Sequence, residues 1–221
     1  MKTLIIIPAF NERDNILALI KNIKELHYDY LIINDHSTDD TSELAHAHNL
    51  NIIDLPINVG LAGVTRIGFK YAYDHAYDCV ISIDGDGQHQ PKYIHTLIKE
   101  IEEGNDYVIG SRFVNKKKDY SLRMIGSRIL SFLIRLKTGK ELNDPTSGMR
   151  ALGGRVIKEF AKSMNFYAEP DAACHLLKMG YKVKEVPVEM LDRQGGTSYF
   201  VNPFKSIKFM ISVIISIIFI Q

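Results

Sequence analysis

Across the first 111 residues, short β-branched runs alternate with longer stretches whose apolar residues recur at helical spacing. The strand candidates are Thr3–Ile7, Tyr30–Ile33, Asn51–Asp54, Cys79–Ile83 and Tyr107–Ile109. Between them, Ile16, Leu19, Ile20, Ile23 and Leu26 mark one helix face, and Ile94, Leu97, Ile98 and Ile101 another. Such alternation predicts an α/β fold, a mostly parallel central sheet with helices on both faces. Ligands of these sheets bind beyond the carboxyl ends of the strands, so the loops that follow the strands are where chemistry is expected.

Composition narrows the class. With 46% hydrophobic and 24% charged residues, the chain is no disordered polymer. Its two cysteines, Cys79 and Cys174, make no disulfide framework, no CxxC offers a zinc site, and none of the eight histidines is assigned to metal. The start, MKTLIIIPAFNERDN, lacks the apolar length and cleavage site of a signal peptide, which predicts a cytosolic start. The net charge of +1 hides an asymmetry. Residues 1–111 hold 8 basic and 17 acidic residues, and residues 112–221 hold 19 and 9. An acidic half joined to a basic half points to two tasks, holding a cation and facing an anionic partner such as phosphate or membrane.

Three loops stand out. Pro8-Ala9-Phe10-Asn11-Glu12 follows the first strand, and Asn34-Asp35-His36-Ser37-Thr38 follows the second. Ser37 or Thr38 can cap the next helix, whereas Asp35 sits at the strand end, before that helix could use it. After the fourth strand comes Asp84-Gly85-Asp86-Gly87-Gln88-His89. Two carboxylates flanking a glycine can hold Mg²⁺ or Mn²⁺ through oxygen ligands and leave positions open for phosphate. An EF-hand is excluded, because its glycine and final glutamate positions hold His89 and His95. Gly60-Leu61-Ala62-Gly63 is no dinucleotide fingerprint, and no Walker A lysine loop occurs. What remains is a metal-bridged diphosphate site without a glycine cradle.

The set IIIPAFNE, IINDHSTDD, NVGLAGVTRIG, DGDGQHQP, VIGSRF and DPTSGMRAL resembles glycosyltransferase family 2, nearest its dolichol- and polyprenyl-phosphate sugar synthases. The resemblance runs from Thr3 to about Ser198 and implies the GT-A fold. It implies that Pro8, Phe10, Glu12 and Gly85 line a pocket for a UDP- or GDP-linked sugar, and that Asp35 accepts hydrogen bonds from base or ribose. Asp84 and Asp86 match the family's DXD motif, with Gln88 as a third metal ligand, and Arg193 matches a contact to the donor diphosphate. The usual Asp-Asp-Gly-Ser reads Asn34-Asp35-His36-Ser37 here, which bears on base preference and loop shape.

From Arg112 to Lys140 there are nine basic residues and one acid. Leu122, Ile125, Ile129, Phe132, Leu133 and Leu136 form an apolar face there, a pattern suited to an anionic membrane surface. A lipid monophosphate has a second pKa of about 6 and is already nucleophilic at neutral pH, so it needs cationic clamps and no general base. Arg112 is the first candidate for that clamp, then Arg128 and Arg123. A glycan-hydroxyl acceptor, as in capsule or cell-wall assembly, would instead need Glu169 or Asp171 as catalytic acid or base. The chain therefore reads as one catalytic domain over residues 1–200, with a donor and metal half (1–111) and an acceptor half (112–200). A tail, 201–221, includes twelve uncharged residues from Phe209 to Ile220. That run makes about 18 Å of helix, short of a hydrocarbon core of about 30 Å, and predicts a segment lying in one leaflet or packed in an oligomer, the alternative being a helix that covers the domain's own core.

The expected activity is metal-dependent, inverting transfer of a sugar to a polyprenyl phosphate, with Asp86, Arg112 and, for a hydroxyl acceptor, Glu169 in catalytic roles. The expected location is the cytoplasmic side of a membrane, peripheral or monotopic, with a second copy or a small membrane protein as possible partner and no nucleic acid. The rival of another class is a non-catalytic protein that docks at membranes; paired acids at strand ends give such a protein nothing.

Overall fold

The computed structural model describes residues 1–162, 170–191 and 203–220, without the side chains of residues 122, 123 and 203–206. Seven strands form one sheet: β1 (Thr3–Ala9), β2 (Asp29–Asn34), β3 (Ile52–Asp54), β4 (Cys79–Ser82), β5 (Tyr107–Ser111), β6 (Arg150–Gly153) and β7 (Val183–Pro187). Their order is β3-β2-β1-β4-β6-β5-β7, parallel except for β6, which runs against both β4 and β5. The five strands expected from the β-branched runs are all present. β6 and β7 were not anticipated.

Alternation along each strand divides the core in two. Leu4, Ile6, Leu31, Ile33, Val80 and Leu152 face one side, under α3 (Gly60–Asp74), α5 (Leu122–Thr138), α6 (Gly154–Lys162) and α7 (Pro170–Lys178). Ile5, Ile7, Ile32, Ile81, Val108 and Ala151 face the other, under α1 (Ile16–Glu25), α2 (Thr41–Ala47) and α4 (Ile94–Glu102). α4 buries Ile94, Leu97, Ile98 and Ile101, one stripe at helical period. At about 1.5–3 kcal/mol for each buried side chain, that stripe holds the helix against the sheet. α5 stops at Gly139, whose left-handed φ of +69° ends the helix at no steric cost.

The direction of β6 decides where the site lies. Ala9 pairs with Asn34, and Ile6 with Ser82, so the carboxyl ends of β1, β2 and β4 share one edge. Arg150, at the amino end of β6, pairs with Ser82 and Ile109. The segment entering β6, residues 144–149, therefore reaches that same edge.

The last helix, α8 (Pro203–Ile215), continues as a π-helical turn, Ser216–Ile220. One of its faces joins the body. Val213 and Ile217 are buried in the cluster that contains Leu130 and Ile134 of α5, and the Lys137 ammonium donates to the Ile218 carbonyl at 2.7 Å. Met210 lies so close to Gly126 that a Cβ there would meet its methyl at 2.5 Å. Among the described residues, no helix is long and apolar enough to cross a membrane.

Candidate active site

The loops after β1 and β2 are stitched together. Asn11, in left-handed conformation at φ +58°, accepts from the Thr38 and Asp39 N–H groups at 2.8 and 3.3 Å, and its own N–H donates to Ser37 Oγ at 2.9 Å. The Glu12 N–H donates to Thr41 Oγ1 at 2.9 Å. Glu12 is buried and accepts from the Asn15 amide at 2.9 Å, while Phe10 stands exposed at the rim. Gly85 N–H donates to the Pro8 carbonyl, and a Cβ on Gly85 would come within 3.0 Å of that oxygen and 3.3 Å of Glu12 Cγ. Pro8, Glu12 and Gly85 are thus in contact, with Asp84 and Asp86 beside them in sequence.

Asp35 is buried and accepts from the Val59 and Gly60 N–H groups at 2.7 and 2.9 Å. The strand-end acid is unused by the next helix but caps α3, a distant one, and its oxygens keep lone pairs for a further donor. Asn34 explains the altered motif. Its amide donates to Asp54 at 2.7 Å and its oxygen accepts from Ser37, a pairing that an aspartate facing Asp54 could not make. Burial raises the Asp54 carboxyl, but hydrogen bonds from Asn34, His46 and Ser42 outweigh it and hold the group below its ordinary value. His36 keeps a φ of +58°, so the loop retains the left-handed residue for which glycine is the usual choice.

Asp84, Asp86 and Gln88 lie on one turn after β4. Asp86 is buried, with Oδ1 accepting from the Gln88 N–H at 3.0 Å. The Gln88 amide donates to the Leu191 carbonyl at 3.2 Å and the Gln90 amide to that of Glu189 at 2.8 Å, so the turn is braced by the segment after β7. The Asp84 N–H donates to Nδ1 of buried His89 at 2.9 Å. Nδ1 is therefore an acceptor, and its 3.6 Å approach to Asp84 Oδ2 is no ion pair. The donor set, two carboxylates and one amide oxygen, fits a hard divalent cation. Among the described residues no three His, Cys, Asp or Glu side chains gather as a metal site.

The segment entering β6 closes over this turn. A Cβ on Gly148 would lie 2.6 Å from Asp84 Oδ2 and 3.0 Å from His89 Cε1, so only glycine fits there unshifted. Buried Arg150 holds the segment from below, donating to the Ser147 and Pro145 carbonyls at 2.6 and 3.1 Å. Four residues before Gly148, the fully buried Asp144 grips Arg112, with Nε to Oδ2 at 2.7 Å and Nη2 to Oδ1 at 2.8 Å. Arg112 thus has a fixed guanidinium, with Nη1 left uncommitted among the described residues. Arg128 is placed differently from its expected role. Its two Nη groups donate to the Asp119 and Lys118 carbonyls at 2.7 Å, so it pins the 112–121 loop. The Arg123 side chain, Glu169 and Arg193 lie outside the described residues. Asp171 is buried, accepts from Ser216 Oγ at 2.7 Å, and its other oxygen has no hydrogen-bond partner among the described residues. The resemblance includes Asp144 and Arg150 within DPTSGMRAL, and Lys118 counts among the basic residues after Arg112, but the sequence assigns none of the three an individual role.

The family model for glycosyl transferase family 2 matches residues 4–160. The chain belongs to glycosyltransferase family 2. Within the family it is 26% identical to the polyprenol monophosphomannose synthase of Mycolicibacterium smegmatis, over 89% of this chain and 80% of that protein. It is 29% identical to the UDP-N-acetylglucosamine–dolichyl-phosphate N-acetylglucosaminyltransferase of Methanococcus voltae, over 85% and 84%. Its fold matches glucosyl-3-phosphoglycerate synthase from Mycobacterium tuberculosis, solved with Mn²⁺, UDP and phosphoglyceric acid. The TM-score is 0.72 at 17% identity, covering 98% of this chain and 78% of that one. The fold is that of a GT-A glycosyltransferase of family 2, and the protein is a sugar-transferring enzyme.

Proposed function

We propose that this enzyme moves a sugar from a nucleoside-diphosphate sugar to a polyprenyl phosphate at a membrane surface. The observation that carries the reading is the short segment from Asp144 to Gly148. One end orients the Arg112 guanidinium and the other rests on the Asp84 carboxylate. A cation for an acceptor phosphate and the carboxylates for a donor diphosphate are thereby set by one piece of backbone. The acceptors in the relatives' names support the same class.

Asp84, Asp86 and Gln88 would hold Mg²⁺ or Mn²⁺, which offsets the negative charge developing on the departing nucleoside diphosphate. Pro8, Phe10, Glu12, Gly85 and Asp35 form the donor side, with Asp35 offering its remaining lone pairs to the nucleoside. The acceptor's phosphate oxygen bonds to the anomeric carbon as the bond to the diphosphate breaks, with inversion at that carbon. With a second phosphate pKa of about 6, no proton needs to be removed, and Arg112 reduces the repulsion between the two anions. A hydroxyl acceptor would need an accessible base; of the two candidates, Asp171 is buried against the tail and Glu169 lies outside the described residues.

The membrane surface is read from two helices. Ile125, Ile129, Phe132 and Leu136 of α5 are exposed on one side, as are Ile207, Ile211 and Ile215 of α8, followed by Phe219. The packing of Gly126 against Met210 joins the helices, and Arg135, Lys137 and Lys208 accompany the apolar surface. Apolar area beside basic residues suits an anionic bilayer entered from its surface. The test is a transfer screen of nucleotide-sugars with and without polyprenyl phosphate. Transfer only with the lipid phosphate is expected; transfer only to oligosaccharide hydroxyls overturns the reading.

A further inference from the structure

Lys118 belongs to a row of three lysines, and its surroundings set it apart. Its ammonium is half-buried and donates to Ser127 Oγ at 2.8 Å and Ser131 Oγ at 3.2 Å, two hydroxyls one turn apart on α5. Ser127 is fully buried. Hydroxyls orient a cation without neutralising it, and among the described residues no carboxylate touches this one. The fold also spends Arg128 on holding the Lys118 carbonyl in place. Lys118 Nζ and Arg112 Cζ lie 5.5 and 5.1 Å from the centroid of one ring, that of Phe113. Burial lowers the ammonium from its ordinary value, and the like charges of Arg128 and Arg112 add to this against the pull of Asp144 and Glu185. A partly desolvated cation beside another cation is poised for an anion.

We infer that Lys118 is a second cation for the acceptor's phosphate monoester, acting beside the Nη1 edge of Arg112, which is uncommitted among the described residues. The inference rests on the lipid-phosphate reading above. Ser127 and Ser131 aim the ammonium, both cations lie beside the Phe113 ring, and the dianion bridges them. Arg112 brings its own carboxylate, Asp144, so the pair Arg112–Asp144 carries little net charge. Lys118 supplies the positive charge that a dianion requires.

The test uses the full chain with Lys118→Met and Lys118→Arg, measuring KM for a polyprenyl phosphate and, separately, Kd for UDP with Mn²⁺. Loss of one charged contact predicts an acceptor KM about tenfold higher or more in Lys118→Met, with partial recovery in Lys118→Arg and UDP affinity within about twofold of wild type. An unchanged acceptor KM overturns the inference. So does a parallel loss of UDP affinity in both variants, which would assign Lys118 to the donor diphosphate or to folding. Wild-type protein that transfers nothing to polyprenyl phosphate overturns the acceptor reading, and this inference with it.

Discussion

Asp144 meets Arg112 through two parallel hydrogen bonds of 2.7 and 2.8 Å and accepts the Arg112 backbone N–H at 3.1 Å as well. Glu185 of β7 in turn accepts the Asn143 and Asp144 N–H groups at 2.7 and 2.6 Å. The guanidinium is therefore located by a relay that starts on an edge strand and passes through buried carboxylate.

Removing the buried partner should be costly. Asp144→Ala leaves a largely buried guanidinium without its counter-charge and is expected to destabilise the protein by about 3 kcal/mol. Equilibrium urea denaturation measures this, and a loss below about 1 kcal/mol would mean that Arg112 finds another partner.

Nucleoside diphosphate binding should require a divalent cation. UDP or GDP titrated into wild type and Asp86→Ala, with Mn²⁺ and with chelator, should bind tightly only to wild type with metal. Equal affinity in all four titrations would remove the metal role from Asp84 and Asp86.

Gly148→Ala tests the contact between the two sides of the site. The added Cβ would press on the Asp84 carboxylate, so Mn²⁺-dependent UDP binding should weaken about tenfold, as for loss of one hydrogen bond to a charged group. Unaltered binding would show that the segment yields without moving Asp84.

Asp171 predicts a pH effect of defined sign. Burial raises its carboxyl above the ordinary value, against hydrogen bonds from Ser216 and backbone and the pull of Arg150. The folded state therefore holds a proton that the unfolded chain releases at about 3.9. Stability from this group falls as pH rises from there through the raised folded value. Asp171→Asn should lose less stability than wild type between pH 4 and pH 7 in urea titrations. Parallel pH profiles would refute the assignment.

Membrane attachment is best tested on the exposed face, because Val213 and Ile217 of the tail are core residues and deletion would open the core. Ile211→Lys with Ile215→Lys should abolish flotation with anionic liposomes while leaving UDP binding intact. Full flotation of that variant would place the membrane contact elsewhere.

The parts of this molecule legible in sequence are those governed by local pattern. β1 to β5 show as β-branched runs, and the acidic turn at Asp84 and Asp86 shows by its place after one of them. Arg150-Ala-Leu-Gly is too short and opens with a charge, so β6 is invisible until its neighbours exist. Val183-Lys-Glu-Val-Pro is an edge strand that carries two charged residues and only one buried side chain. The role of Arg128 was hidden for a different reason. Sequence counts its charge but not the two carbonyls that occupy it. Asp35 looked spare because its partners, Val59 and Gly60, lie beyond another strand.

The reversed strand has a consequence for how the chain reaches this form. β4 and β5 never bond to one another; each pairs with β6, which is made some forty residues after β5. Until Arg150–Gly153 arrives, both strands present open edges of the kind that recruit other chains. Closing the sheet thus waits on contacts distant in sequence, which slows folding and lengthens the interval of exposure. A nascent chain halted before residue 150 would carry the complete acidic turn and yet be prone to aggregate.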